Sequence, residues 1–159
     1  MDYQIQNSKS KNILDRWIVS RLQNVIEEAT KRFDEYDITG AARLIDSFVI
    51  DDLSLWYIRR SRSRFQNPET KKELQEATNT LHYILLEVCK LTAPFIPFLS
   101  EHIYEELGQK SPSTGSEWRS VHWQDWPKAD KKLIDAKLGK EMQLARDIVA
   151  KGLAETVSR

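Results

Sequence analysis

One cysteine, five glycines and five prolines are all that 159 residues hold of the types that staple or break a chain. With Cys89 alone, neither an intramolecular disulfide nor a cysteine-rich zinc site is available, and a reducing, cytoplasmic compartment is expected. Charge of one sign is lacking as well. The 24 basic and 24 acidic side chains cancel, so no global field draws the chain to nucleic acid and any RNA site must come from local clustering. No apolar run is long enough to span a bilayer, and the polar stretch from Met1 to Lys11 lacks the apolar centre of a signal peptide, so no membrane association is expected. A glycine-rich phosphate loop is missing, and His82, His102 and His122 are scattered without the spacing of a metal or nucleophilic site. Glu101, Glu105 and Glu106 share a short segment, where like charges are ordinary solvated positions far more often than an acid and base pair. The expectation is a chain that is no catalyst by itself and that holds neither metal nor cofactor.

What is present is helical periodicity and enough apolar mass, 40% of residues with five each of Trp, Tyr and Phe, to fill one core. After a linker over residues 1–11, a first helix capped by Asn12 or Ser10 runs to about Tyr36 on the stripe Leu14, Ile18, Leu22, Val25, Ala29, Phe33 and Tyr36. Asp37 or Thr39 caps a second, whose stripe is Ala41, Leu44, Ile45, Phe48 and Leu55 and which ends near Phe65. Asn67 and Pro68 open a third, with Leu74, Ala77, Leu81, Leu85 and Val88 on one side. Leu86 and Leu91 give this helix a second apolar side, which places it at the centre of the bundle. Pro94 and Pro97 break the run, and a short helix through Glu101, Tyr104 and Leu107 stops at Gly108, closing the core helices at 12–108. Residues 109–129 read as a long connection, onto whose bundle-facing side Trp118, Trp123 and Trp126 are expected to bury. A last helix over 130–159 carries Ile134, Leu138, Met142, Ala145, Ile148 and Val149. The spacing thus predicts one all-α domain over 1–159, an up-and-down bundle of four long helices plus one short helix, with a Trp-containing loop before the last.

Charge clusters in one place. Trp56-Tyr57-Ile58-Arg59-Arg60-Ser61-Arg62-Ser63-Arg64 ends the second helix, and Lys71 and Lys72 follow, giving six cations against Glu69 and Glu73 in a chain of zero net charge. Arginines at a helix C-terminus are favoured by the macrodipole, and a charge run is usually only a solvated face. Guanidiniums beside Trp56 and Tyr57 also supply phosphate forks and flat surfaces for unstacked bases, as single-stranded RNA loops require. At about 100° per residue, Arg59 and Arg62 continue the line of Phe48 and Leu55, whereas Arg60 and Arg64 point away. Arg59 and Arg62 are therefore expected to be structural or to face a neighbouring domain, paired with carboxylates such as Asp51 and Asp52, because unpaired burial would be costly. Arg60, Arg64, Lys71 and Lys72, with Trp56 and Tyr57, are the expected RNA contacts.

The segments Asn12-Ile13-Leu14-Asp15-Arg16-Trp17-Ile18, Tyr36-Asp37-Ile38-Thr39, Asp51-Asp52-Leu53-Ser54, Trp56-Tyr57-Ile58-Arg59-Arg60-Ser61-Arg62 and Ala93-Pro94-Phe95-Ile96-Pro97-Phe98, in this order, resemble the isoleucyl-tRNA synthetases, of class I. Ser120-Val121-His122-Trp123-Gln124-Asp125-Trp126-Pro127 is similar to the stretch that closes the helical domain in that family, with Trp123 where Leu is expected. The Pro-Phe-Ile-Pro-Phe segment with Glu101 is shared in outline by the valyl and leucyl relatives, and the arginine-rich segment points to the isoleucyl branch. The resemblance implies a helical domain that grips the anticodon stem and loop of isoleucine tRNA. It also implies a catalytic Rossmann domain on the same polypeptide, where ATP activates isoleucine. Neither His-Ile-Gly-His nor Lys-Met-Ser-Lys-Ser occurs here, so the nucleotide-binding fold is expected upstream of Met1 and the chain is read as a monomeric fragment. A helical interaction domain, whose arginines dock a catalytic domain or other protein without touching RNA, is the alternative. Only RNA binding predicts strong salt dependence.

Overall fold

A computed structural model describes the backbone of residues 12–108 and 120–157, with side chains as far as 152; Trp118 and the linker over 1–11 lie outside these described residues. The elements in order are α1 (Ile13–Asp34), α2 (Ile38–Ser47), a π-helix (Phe48–Ile58), α3 (Arg62–Gln66), α4 (Lys71–Thr92), α5 (Pro97–Glu106), two 3₁₀ turns (Val121–Trp123 and Lys131–Leu133) and α6 (Ala136–Val157). No strand occurs among the described residues. The all-α bundle holds as expected, with α2, the π-helix and α3 forming the second long rod.

Caps set the boundaries. The Asn12 side chain accepts the Leu14 N–H at 2.9 Å and starts α1, satisfying one of the donors a helix start leaves orphaned. At its end, Tyr36 N–H donates to Phe33 O and Asp37 N–H to Arg32 O, the paired bonds of a Schellman motif, with Tyr36 in the left-handed region at φ 59°. That geometry throws Tyr36 off the α1 stripe, so it is 89% exposed rather than part of the core. Asp37 then caps α2 through Gly40 N–H at 2.9 Å. A Cβ on Gly40 would fall 1.9 Å from the Asp37 carboxylate, so this cap requires glycine. Thr70, three residues later than Asn67, caps α4 by accepting the Glu73 N–H, and Gly108 takes φ 79° just beyond α5. Asp135 caps α6 through Leu138 N–H.

Chain direction follows from cross-helix pairs. Asp15 meets Arg64, Arg21 meets Asp52 and Arg32 meets Asp37, so the second rod runs antiparallel to α1. α1 is more deeply buried than α4, the helix expected at the centre: Trp17, Ile18, Val19, Ser20, Leu22, Gln23, Val25 and Ile26 are all buried in α1, against Ala77, Thr80, Ile84, Cys89 and Leu91 in α4, and α1 touches α2, the π-helix, α4, α6 and the second 3₁₀ turn. Sequence periodicity misses this because Ser20 and Gln23 look like a polar face. Both are buried with their hydrogen bonds made: Ser20 Oγ accepts the Asp135 N–H, while Gln23 accepts the Asp130 N–H and donates to the Tyr83 hydroxyl. These bonds lay the connection to α6 along α1.

Of the two described tryptophans in the stretch before α6, one holds it. Trp126 is half-buried, donates to Thr30 Oγ1 at 2.9 Å and meets Phe33 edge-on at 5.1 Å, whereas Trp123 is 76% exposed. Glu101 fastens the other end, accepting the Ser120 hydroxyl and the Val121 N–H. Along α6, Leu138 and Met142 are buried but Ala145 and Ile148 of the expected stripe are exposed. Among the described residues no helix is long and apolar enough to cross a membrane.

Candidate nucleic-acid interface

The π-helix decides which arginines face outward. In an i→i+5 hydrogen-bonded helix each turn takes up nearly one residue more than in an α-helix. Across the eleven residues Phe48–Ile58 the register therefore falls behind by about two residues, on the order of half a turn. The buried positions record the change: Ala41, Ile45, Phe48 and Asp52 recur every three or four residues, and Tyr57 then follows Asp52 after five, with Leu53 buried between them. Leu55, expected in the core from an α-helical reading, is 54% exposed.

The arginines exchange roles accordingly. Arg64, expected at the surface, is only 6% exposed and forms a fork on Asp15, with Nη1 to Oδ1 at 2.7 Å and Nη2 to Oδ2 at 2.8 Å. Its Nε lies 3.6 Å from the Glu73 carboxylate. Tyr57, expected as a stacking surface, is fully buried and donates its hydroxyl to Asp15 at 2.8 Å. The hydrogen bond to Asp15 raises the Arg64 pKa above its ordinary value against the opposing effect of burial, while burial and the Asp15 charge push the Tyr57 phenol far upward. Arg64 and Tyr57 thus belong to a buried knot joining α1, the second rod and α4 rather than to the exposed surface. Sequence reasoning passed over Asp15. Its signal is a carboxylate three and seven residues before Ile18 and Leu22, on the apolar side of α1, where a buried cation partner is obligatory.

Arg59 and Arg62 are exposed, contrary to their expected place on the core line. Arg62 Nε donates to Gln66 at 3.0 Å, and neither arginine pairs with Asp51 or Asp52. Asp51 is exposed and accepts from the Ser47 hydroxyl. Asp52 is buried and structural as expected, but its partners are Arg21, at 2.9 Å from Nη2, and Arg146 of α6. Trp56 is half-buried, its indole N–H directed to Met142 Sδ at 3.2 Å, and the Arg60 guanidinium lies 4.5 Å from its ring centroid. Arg60 is exposed and its planar cation is held by the indole beneath, an arrangement that limits the entropy lost on binding. Lys71 and Lys72 are exposed at the start of α4, with only Glu76 near Lys72, at 3.8 Å.

The surface of the second rod's C-terminal end and the α4 start therefore presents Arg59, Arg60, Arg62, Lys71 and Lys72 to solvent, with Trp56 supporting one of them. This is a set of phosphate forks and point charges on rigid helices. Among the described residues no group of three His, Cys, Asp or Glu side chains is placed to hold a metal. Cys89 is buried, and burial pushes its thiol up to about 11, which leaves it protonated and unreactive at neutral pH.

The family described as the anticodon-binding domain of tRNA ligase matches residues 15–152. An isoleucine–tRNA ligase of Clostridium acetobutylicum is 46% identical over 143 residues, which is 90% of this chain and 14% of that protein. One from Clostridium tetani is 42% identical over the same shares, and one from Thermus thermophilus is 39% identical over 86% of this chain and 13% of its own length. The chain therefore spans about one seventh of the length of these relatives. Matched over nearly its whole described length, with the helical fold and the arginine-rich rod in place, the chain belongs to the anticodon-binding domain family of tRNA ligases.

Proposed function

We propose that this chain is the helical domain with which an isoleucine–tRNA ligase grips the anticodon stem and loop of its tRNA. The observation that carries the reading is the cluster Arg59, Arg60, Arg62, Lys71 and Lys72, exposed on one end of a bundle whose total charge is zero. Arg60 adds a flat cation on Trp56 that suits an unstacked base. In this reading the domain works as a monomer in the cytoplasm, as part of a longer polypeptide. Isoleucine, ATP and the catalytic Rossmann domain belong to the remainder of that polypeptide, since this chain carries no glycine-rich phosphate cradle.

Labelled isoleucine tRNA and an unrelated tRNA, titrated at 50 and 200 mM salt, test the proposal. With about four phosphates neutralised, affinity falls about a hundredfold between the two salt concentrations. Retention that ignores salt, or no retention of either tRNA, would replace this reading with the protein-docking alternative.

A further inference from the structure

A second polar feature lies beside the arginine face and is not used by it: a cleft of about 320 Å³ between α1, the π-helix and the first turns of α6. Its size stands at the low end for small-ligand sites, enough for one base with its sugar. The walls mix donors and acceptors. Asn24 is half-buried, and among the described residues nothing bonds its amide; Gln143 donates to Asp147 and keeps its carbonyl free to accept. Asp52 sets one negative charge against the two of Arg21 and Arg146, and Asp135 turns to Arg16 at 3.1 Å, so the cleft keeps a positive surplus to which the exposed Lys140 ammonium at the rim adds. Arg146 is fixed near two indoles, 5.8 Å from the Trp17 centroid and 5.5 Å from that of Trp56. Trp56 also carries Arg60, so cleft and arginine face meet at one side chain.

Gly139 supplies the independent observation. It lines the cleft within α6, where glycine is a poor helix former, and a Cβ built on it meets no atom within 4 Å. No neighbouring protein atom demands glycine at this position. What the missing side chain leaves open is the cleft itself.

We propose that this cleft seats one unpaired nucleotide of the bound RNA, its base entering over Gly139 toward the Asn24 and Gln143 amides and its phosphate held by Lys140. The inference rests on the RNA-binding reading above and adds to it a base-reading site that phosphate contacts alone cannot provide. A mixed donor and acceptor lining suits a base edge, whereas a bare phosphate, which only accepts, would leave the Asn24 and Gln143 carbonyls unused.

The test uses the 159-residue chain, a labelled anticodon stem-loop RNA of isoleucine tRNA and a set of the same RNA with one abasic site at each loop position in turn. Gly139→Leu places its Cβ in open space and extends into the cleft while replacing a poor helix former, so its Tm should be no lower than that of wild type. One abasic position should cost the wild-type protein about tenfold in affinity and cost Gly139→Leu nothing, because that variant has already lost the seat. Asn24→Ala should show the same selective insensitivity. If Arg60→Gln weakens binding but no abasic penalty is abolished by Gly139→Leu, the cleft proposal is overturned and the arginine face stands. If the wild-type chain binds none of these RNAs, both readings are overturned.

Discussion

Replacing Arg64 with Ala would take from the fully buried Asp15 carboxylate the guanidinium that forks onto it, while the Tyr57 hydroxyl still donates to Oδ1. Two charge-assisted bonds of 2.7 and 2.8 Å to a carboxylate with no exposed surface disappear. Breaking a buried pair from one side costs about 3–5 kcal/mol, because the remaining ion is desolvated without compensation. At roughly 2–4 °C per kcal/mol for a chain of this size, Tm should fall by about 10 °C. Combining Asp15→Leu with Arg64→Met removes both charges and should recover most of the loss, as hydrophobic replacement of a buried pair often does. Urea denaturation of Asp15→Leu, Arg64→Met, their double variant and wild type gives the coupling energy directly. A loss below about 1 kcal/mol for Arg64→Ala would show an exposed, surface-type pair and refute the half-turn shift assigned to the π-helix.

Other buried and exposed groups carry expectations of the same kind. Asp52→Ala strands Arg21 and Arg146 and should lower stability by about 3 kcal/mol, measured by urea denaturation. Trp126→Ala should cost about 2 kcal/mol, less than for full burial, because the ring is only half enclosed against Phe33 and Thr30. Trp123→Ala should leave the denaturation midpoint unchanged, as fits its exposed ring. The raised Cys89 pKa, about 11 from burial, means that at about pH 8 a thiol reagent should modify it only as fast as the protein opens, and urea should accelerate the reaction.

Local rules read from sequence carried α1 to within two residues at its end, narrowed the first two caps to Asn12 or Ser10 and to Asp37 or Thr39, of which Asn12 and Asp37 do the capping, and placed the Gly108 stop, since each depends on neighbours in the chain. They failed where the period changed. Nothing in a helical wheel of about 100° per residue announces a π-helix, so the reading placed Leu55, Arg59 and Arg62 inward and Arg64 outward, the reverse of the structure. The basic cluster itself was legible, because density of charge does not depend on helical phase. The division of its members was not, and it moved two of the expected RNA-facing residues, Tyr57 and Arg64, into the core. The deeper burial of α1 was hidden for another reason: Ser20 and Gln23 are buried by hydrogen bonds to residues far along the chain, a satisfaction that only the tertiary fold supplies.

On the function proposed above, Arg59, Arg60 and Arg62 face RNA while the buried Arg64 holds the fold. The most direct test is the salt dependence of isoleucine tRNA binding in wild type, the Arg59→Gln, Arg60→Gln, Arg62→Gln triple variant, and Arg64→Gln assayed below its lowered Tm. Each phosphate left without its arginine takes about 0.7–0.9 from the slope of log affinity against log salt. The account predicts a slope flatter by about 2 to 3 for the triple variant at unchanged Tm, and a wild-type slope for Arg64→Gln. A wild-type slope for the triple variant, or a flattened slope for Arg64→Gln, would contradict it.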